Sequence, residues 1–197
     1  MQKKLNLVLF GPPGAGKGTQ SEKIIKKYNL THISTGELFR KHLVEGTKLG
    51  LEAQSFMDHG KLVPDKIVIG MVDDKIRSTT GTSGFIFDGF PRTVPQAKAL
   101  DKLLTSVDGS ISVMISLDVP EEVLKERLRN RAKISGRTDD QDDVKIQTRI
   151  QEYREKTMPV SSYYEGQGKL VIINGVGTID EIFNNICSVL DPLKELV

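Results

Sequence analysis

Four glycines at 11, 14, 16 and 18 and a lysine at 17 crowd into GPPGAGKGT (11–19), directly after the apolar run LNLVLF (5–10). Glycines let a backbone curl tightly and turn several N–H groups inward, and a helix that follows adds its positive end. The spacing GxxxxGK between a strand and a helix is therefore a phosphate cradle, a P-loop, with Lys17 as its point charge. Gly14, Ala15, Gly16, Lys17, Gly18 and Thr19 are the residues expected against a polyphosphate. The hydroxyl that normally follows the lysine is displaced: Gly18 takes its place and Thr19 comes one position later. A metal ion would then lean on phosphate oxygens, water and a carboxylate. Asp88, the acid that ends the apolar run GFIFD (84–88), has the Walker B pattern for that carboxylate. Its bland alternative is a cap on the turn that Gly89 and Pro91 begin.

A second group of side chains suits phosphate as well. Arginine brings a guanidinium whose planar fork matches phosphate oxygens better than an ammonium does, and arginines are spread along the chain from Arg40 to Arg154. Arg127 and Arg131 stand four apart on PEEVLKERLRNR (120–131) and so share a helix face, although ion pairs on a solvated surface would explain them too. Gln96 offers a donor and an acceptor that could read a base edge. Taken singly, Ser34 and Thr35 could cap a helix, Arg40 could be a surface charge, and Gln96 an exposed helix residue.

Short β-branched runs alternate with longer helical patterns, which indicates an α/β protein with a mainly parallel sheet. The strand candidates are 5–10, 32–34, 84–88, 111–117 and 170–174, several apolar on both faces as a sheet covered on both sides requires. Helical stretches are predicted at 17–28, 35–45, 64–78, 94–105, 120–132, 142–165 and 179–190. Pro64 and Pro120 suit helix starts, and Ser34 with Glu37 and Thr178 with Glu181 have capping-box spacing. Two segments add no strand: 34–63, helical and glycine-bearing, and a polar loop around RAKISGRTDD (131–140). Both read as flaps over a site at the carboxyl ends of the strands.

The bulk properties exclude several classes. A chain of 197 residues buries one full core but not two ordinary domains. Twenty-eight basic against 26 acidic residues are interspersed, with no basic stripe for nucleic acid. The single cysteine, Cys187, cannot form an intrachain disulfide or a zinc cluster and fits a reducing compartment. No stretch reaches membrane-spanning length, so a cytoplasmic protein without membrane or nucleic-acid partners is expected.

Together GPPGAGKGT, STGELFR (34–40), GFPRTVPQ (89–96) and SGRTDD (135–140) resemble the adenylate kinase branch of the nucleoside monophosphate kinases, over nearly the whole chain. The resemblance implies a P-loop NTPase-type five-stranded parallel sheet with helices on both faces, in a single domain. Its core would be 1–33, 64–130 and 141–197, with a monophosphate-binding insertion at 34–63 and a short lid at 131–140. It implies reversible phosphoryl transfer from ATP to AMP giving two ADP, with Mg²⁺ and, in the short-lid form, without zinc; a monomer is expected because no heptad or large uniform apolar face suggests assembly. AMP would meet Thr35, Arg40, the backbone of Lys61, Leu62 and Val63, then Gly89, Phe90, Pro91, Arg92 and Gln96. Arg131 and Gly177 would contact ATP with Arg127 near its phosphates, while Arg137 and Arg149 are shared between the transferring phosphate and AMP. Asp139 and Asp140 would anchor the lid. The rival readings are a UMP/CMP kinase, which Thr35 and Gln96 disfavour, and a P-loop sensor without turnover, which the retained arginines disfavour. No nucleophile or base is needed, since positioning and charge neutralisation supply most of the rate of such a transfer.

Overall fold

The computed structural model describes residues 4–135, 140 and 142–196; Arg137 and Asp139 lie outside the described residues. Its strands are β1 (Leu7–Phe10), β2 (Thr31–Ser34), β3 (Phe85–Asp88), β4 (Val113–Asp118) and β5 (Leu170–Asn174). The helices are α1 (Lys17–Tyr28), α2 (Thr35–Val44), α3 (Lys48–Met57), α4 (Asp65–Ser78), α5 (Val94–Thr105), α6 (Glu121–Ser135), α7 (Asp143–Glu152), α8 (Pro159–Glu165) and α9 (Ile179–Glu195).

All strand pairs are parallel, in the order β2-β3-β1-β4-β5, the architecture the alternating pattern calls for. Residues alternate across the sheet. Val8, Phe10, Ile33, Phe87 and Met114 enter one core with Val72, Leu100 and Val160 from α4, α5 and α8. Leu7, Leu9, Ile86 and Ile115 enter the other with Ile24 and Ile186 from α1 and α9. Helices cover both faces of the inner strands β1, β3 and β4, so nearly every position there is apolar. Phe39, Ala53 and Val63 carry the first core into the segment between β2 and α4, docking the α2 and α3 helices on the sheet.

The start signals operate as their chemistry demands, with one exception. Thr178 and Glu181 form a complete capping box on α9. At α2 only half a box forms: Ser34 accepts from the Glu37 N–H at 3.4 Å. The Glu37 carboxylate turns to His32 instead, 3.7 Å away.

Three stretches differ from the expected pattern. Residues 131–135, read as the start of a loop, continue α6, because Ala132 and Lys133 favour helix and no breaker intervenes. The helix expected over 142–165 is broken into α7, a π-helical turn at Tyr153–Thr157, and α8. Pro159 lacks the N–H that an unbroken α-helix would need there, and the chain widens so that the Met158 N–H reaches the Tyr153 carbonyl at 2.7 Å. Finally, α9 continues past 190 to Glu195 with Pro192 inside it, because Leu193 still has apolar surface to cover.

Candidate functional site

Register explains why motifs far apart in sequence meet. Asp88 at the end of β3 lies beside Leu9 of β1 and beside Ser34 of β2. The P-loop, the Asp88 turn and the start of α2 therefore leave the sheet at one level, at its carboxyl edge. There they line a cleft of about 720 Å³.

In the middle of the cleft is the loop after β1. Gly14 adopts φ +84°, and a Cβ on it would stand 2.9 Å from the Leu124 carbonyl of α6, so only glycine lets the loop lie this close to that helix. Lys17, in the first turn of α1, donates to the Gly11 carbonyl at 2.7 Å and the Pro12 carbonyl at 3.0 Å. Burial lowers its pKa to about 8; Asp88 opposes this, and Arg92, Arg149 and Arg131 add to it. Asp88 is also buried, which pushes its carboxyl up, but hydrogen bonding to His32 and the nearby charges of Lys17 and Arg92 hold it below the ordinary carboxylate range. Gly16, Gly18 and Thr19 complete this part of the wall, with Ala15 beneath it.

Toward β2 and β3 the cleft is walled by Arg40, Lys61, Leu62, Gly89, Phe90, Pro91 and Arg92. The Gly89 carbonyl accepts from Thr35 Oγ1 and from Arg92 Nε, both at 2.8 Å, and this pins the turn that presents Arg92. Val63 is buried and gives the cleft no side chain. Gln96 does not face the cleft either. It is 1% exposed, its carbonyl accepts from the Arg92 N–H at 2.7 Å, and its amide donates to Asp65 at 2.7 Å. Thr35, 3% exposed, lies behind the wall with it.

Toward β4 and β5 stand Arg127, Arg131 and Gly177, and Arg149 lines the cleft beside Gly60. Arg127 bridges two loops, donating to the Gly175 carbonyl at 3.0 Å and the Ala15 carbonyl at 3.4 Å. Arg131 grips Asp140 with two hydrogen bonds, 2.5 and 2.9 Å long, and Arg149 reaches the same carboxylate. Burial pushes Asp140 up, yet these two arginines hold its carboxyl low and so ionised. A wholly buried carboxylate with two guanidinium partners is a fixed strut, where a surface ion pair would be worth little.

Several lining residues carry no motif. Glu152 and Tyr153 stand at the start of the π-helical turn and Thr157 at its end, with Tyr153 packed on Phe10 at 5.6 Å between ring centres. The Met158–Pro159 pair inside a helical pattern was their only advance sign. Gln20, Ile179 and Ile182 line the β5 side. They are indistinguishable in sequence from ordinary helix residues.

Comparison with known proteins gives one answer. Residues 9–169 match the family model described as adenylate kinase. The adenylate kinase of Flavobacterium johnsoniae is 49% identical over 189 residues, spanning 96% of this chain and all of the relative. That of Bacteroides fragilis is 48% identical over the same share of both chains. A more distant relative of the same name, from Methanococcoides burtonii, is 41% identical, again with 96% of this chain and the whole relative covered.

Proposed function

The chain belongs to the adenylate kinase family, a nucleoside monophosphate kinase, and from that premise we propose how its cleft performs ATP + AMP ⇌ 2 ADP. The observation that supports this most is the continuity of one cleft across Lys17, from Arg40 and Arg92 at one end to Arg127 and Gly177 at the other. Two anionic ligands can enter from opposite ends and place their phosphates together over Lys17.

In this reading ATP lays its phosphates in the cradle of residues 11–19 and displaces the Gly11 and Pro12 carbonyls from the Lys17 ammonium. Arg127 and Arg131 follow the triphosphate, with Gly177 at its base end. AMP sits against residues 34–63, where Arg40 and Arg92 grip its phosphate and the backbone of Lys61, Leu62 and Val63 borders its base. Thr35 and Gln96 act by holding the turn at 89–92, on which Arg92 stands. A phosphate oxygen of AMP is already anionic, so it attacks without a base, and Lys17, Arg92, Arg131 and Arg149 meet the charge spreading over the transferred group. Arg137, from the lid at 131–140, joins them when the lid closes. Asp140 holds Arg131 and Arg149 at one spacing.

Asp88 fits the chemistry of a hard cation, being an ionised oxygen donor in the cleft beside the cradle. Mg²⁺ would arrive on the phosphates, be held by Asp88 through water, and supply charge neutralisation between phosphate oxygens. Closure of the 34–63 and 131–140 segments keeps water from taking the phosphoryl group. Among the described residues no helix is long and apolar enough to cross a membrane. We read the enzyme as cytoplasmic and monomeric, the first in keeping with its one, buried, free cysteine.

A coupled assay of ADP formation from ATP with AMP, CMP, UMP and GMP tests the proposal. AMP is expected to give the highest kcat/KM. A preference for CMP or UMP would make the chain a pyrimidine monophosphate kinase, and no turnover with any would reduce it to a binding module.

A further inference from the structure

Gln20 lies one turn into α1, is 2% exposed, and lines the cleft on its β5 side. Its amide N–H donates to the Ile179 carbonyl at 3.0 Å, which fixes which way the amide points. Among the described residues its carbonyl oxygen has no hydrogen-bond partner, although it is buried. Two other buried polar atoms share that condition, His32 Nε2 and Glu152 Oε2, but each stands near an ionisable side chain: the Asp88 carboxylate at 3.8 Å and the Lys156 amine at 2.8 Å. A buried acceptor left unmatched is costly, so a fold that keeps one beside a ligand cleft leaves it for a ligand's N–H.

Topology says which ligand. The P-loop is on β1, the arginines proposed for the monophosphate are on the β2 and β3 side, and Gln20 is at the opposite end with Gly177, Ile179 and Ile182. A nucleotide whose phosphates fill the cradle must place its base there. The two isoleucines offer apolar surface to a ring. The wall of this pocket then holds a buried acceptor whose orientation is set by the bond from the same amide to the Ile179 carbonyl.

We propose that Gln20 determines donor-base specificity by accepting a hydrogen bond from the exocyclic 6-amino group of adenine. A 6-oxo purine would set carbonyl against carbonyl there, and a purine without a 6-substituent would leave the Gln20 oxygen unmatched. This rests on the proposed use of the cleft, with ATP as donor and AMP as acceptor.

The test is a double-mutant cycle between enzyme and nucleotide, with AMP held constant as acceptor. Donors are ATP, ITP and the triphosphate of unsubstituted purine riboside; enzymes are the unaltered chain, Gln20→Met and Gln20→Glu. In the unaltered enzyme, loss of the amine is expected to lower kcat/KM by about tenfold or more, as befits one lost hydrogen bond in a buried pocket. In Gln20→Met the same change of donor should cost less than about twofold. Gln20→Glu keeps an acceptor on the side chain but loses the bond to Ile179 that orients it, so it should retain more of the preference for the amine than Gln20→Met does. If the amine is worth the same in the unaltered enzyme and in Gln20→Met, Gln20 only buttresses Ile179 and the proposal fails. It also fails if the unaltered enzyme tolerates the missing amine within about twofold, a result that needs no variant to fold. No ADP from ATP and AMP in the unaltered enzyme would overturn the reading of the cleft itself, whereas normal ATP turnover with indifferent base choice would overturn Gln20 alone.

Discussion

Burial lowers Lys17 to about 8 in the nucleotide-free protein, from a normal value of 10.5, while in the unfolded chain it titrates normally. Between those values the unfolded state binds more protons, so this group makes stability rise with pH from about 8 to 10.5 and contributes a constant cost below about 8. Triphosphate in the cradle reverses the balance by restoring the charge. Nucleotide binding near pH 8 is therefore expected to take up a fraction of a proton. Titration calorimetry in two buffers of different ionisation enthalpy would measure it, and Lys17→Met should abolish it; proton release, or none in either protein, would contradict the account. Asp140 has the opposite sign. Its carboxyl is held low by Arg131 and Arg149, so its contribution is full above the ordinary carboxylate pKa and is lost as pH falls through its lowered value. Removing it takes from Arg131 and Arg149 the buried carboxylate that they share. Asp140→Ala is expected to destabilise by about 3 kcal/mol, the cost of breaking a buried ion pair from one side, and to lower kcat; a melting temperature within a degree of the unaltered protein would show the strut to be idle.

Elements carry these residues, and one contact ties two of them together. Gly60, after α3, has φ +69°, and a Cβ there would stand 3.0 Å from Arg149 Cγ and 3.2 Å from the Lys145 carbonyl of α7. Gly60→Val should therefore displace Arg149 as well as strain the turn, and depress kcat by about tenfold with a stability loss of about 1–2 kcal/mol. Equal loss of stability with normal kcat would mean that α7 simply moves aside. At the other end of the chain, Thr178→Ala removes the α9 capping box and should cost about 1 kcal/mol in chemical denaturation without changing the slope. How much of this was legible beforehand depends on the kind of signal. The P-loop, the Asp88 strand and the capping box are local: spacing alone specifies them, and the five parallel strands follow from runs that are apolar on both faces. The π-helical turn was not legible, because a helical pattern with Met158–Pro159 inside it can kink, stop or widen, and packing of Tyr153 on Phe10 favours widening. Gln96 was read as facing a base. Its burial between Arg92 and Asp65 depends on α4 packing against α5, which no local spacing encodes. Gln20 carried no signal at all, since an unmatched acceptor exists only once Ile179 has folded beside it.

At the scale of the whole molecule the claim is that one cleft joins two phosphate sites and excludes water between them. The role proposed for Arg137, meeting charge only when the lid closes, belongs to this claim. Arg137→Ala should lower kcat by a factor on the order of 10³ with little change in ATP affinity, and Arg137→Lys should restore only part of it. A loss of ATP affinity with kcat intact would make it a ground-state clamp. The most direct measurement follows the phosphoryl group itself, with ATP labelled at the γ-phosphate and AMP present or absent. With AMP, nearly all label should appear in the β-position of ADP newly made from AMP, and without AMP almost none should leave ATP. Label released as inorganic phosphate at a similar rate in both cases, or retained on the protein, would contradict direct transfer across a closed cleft.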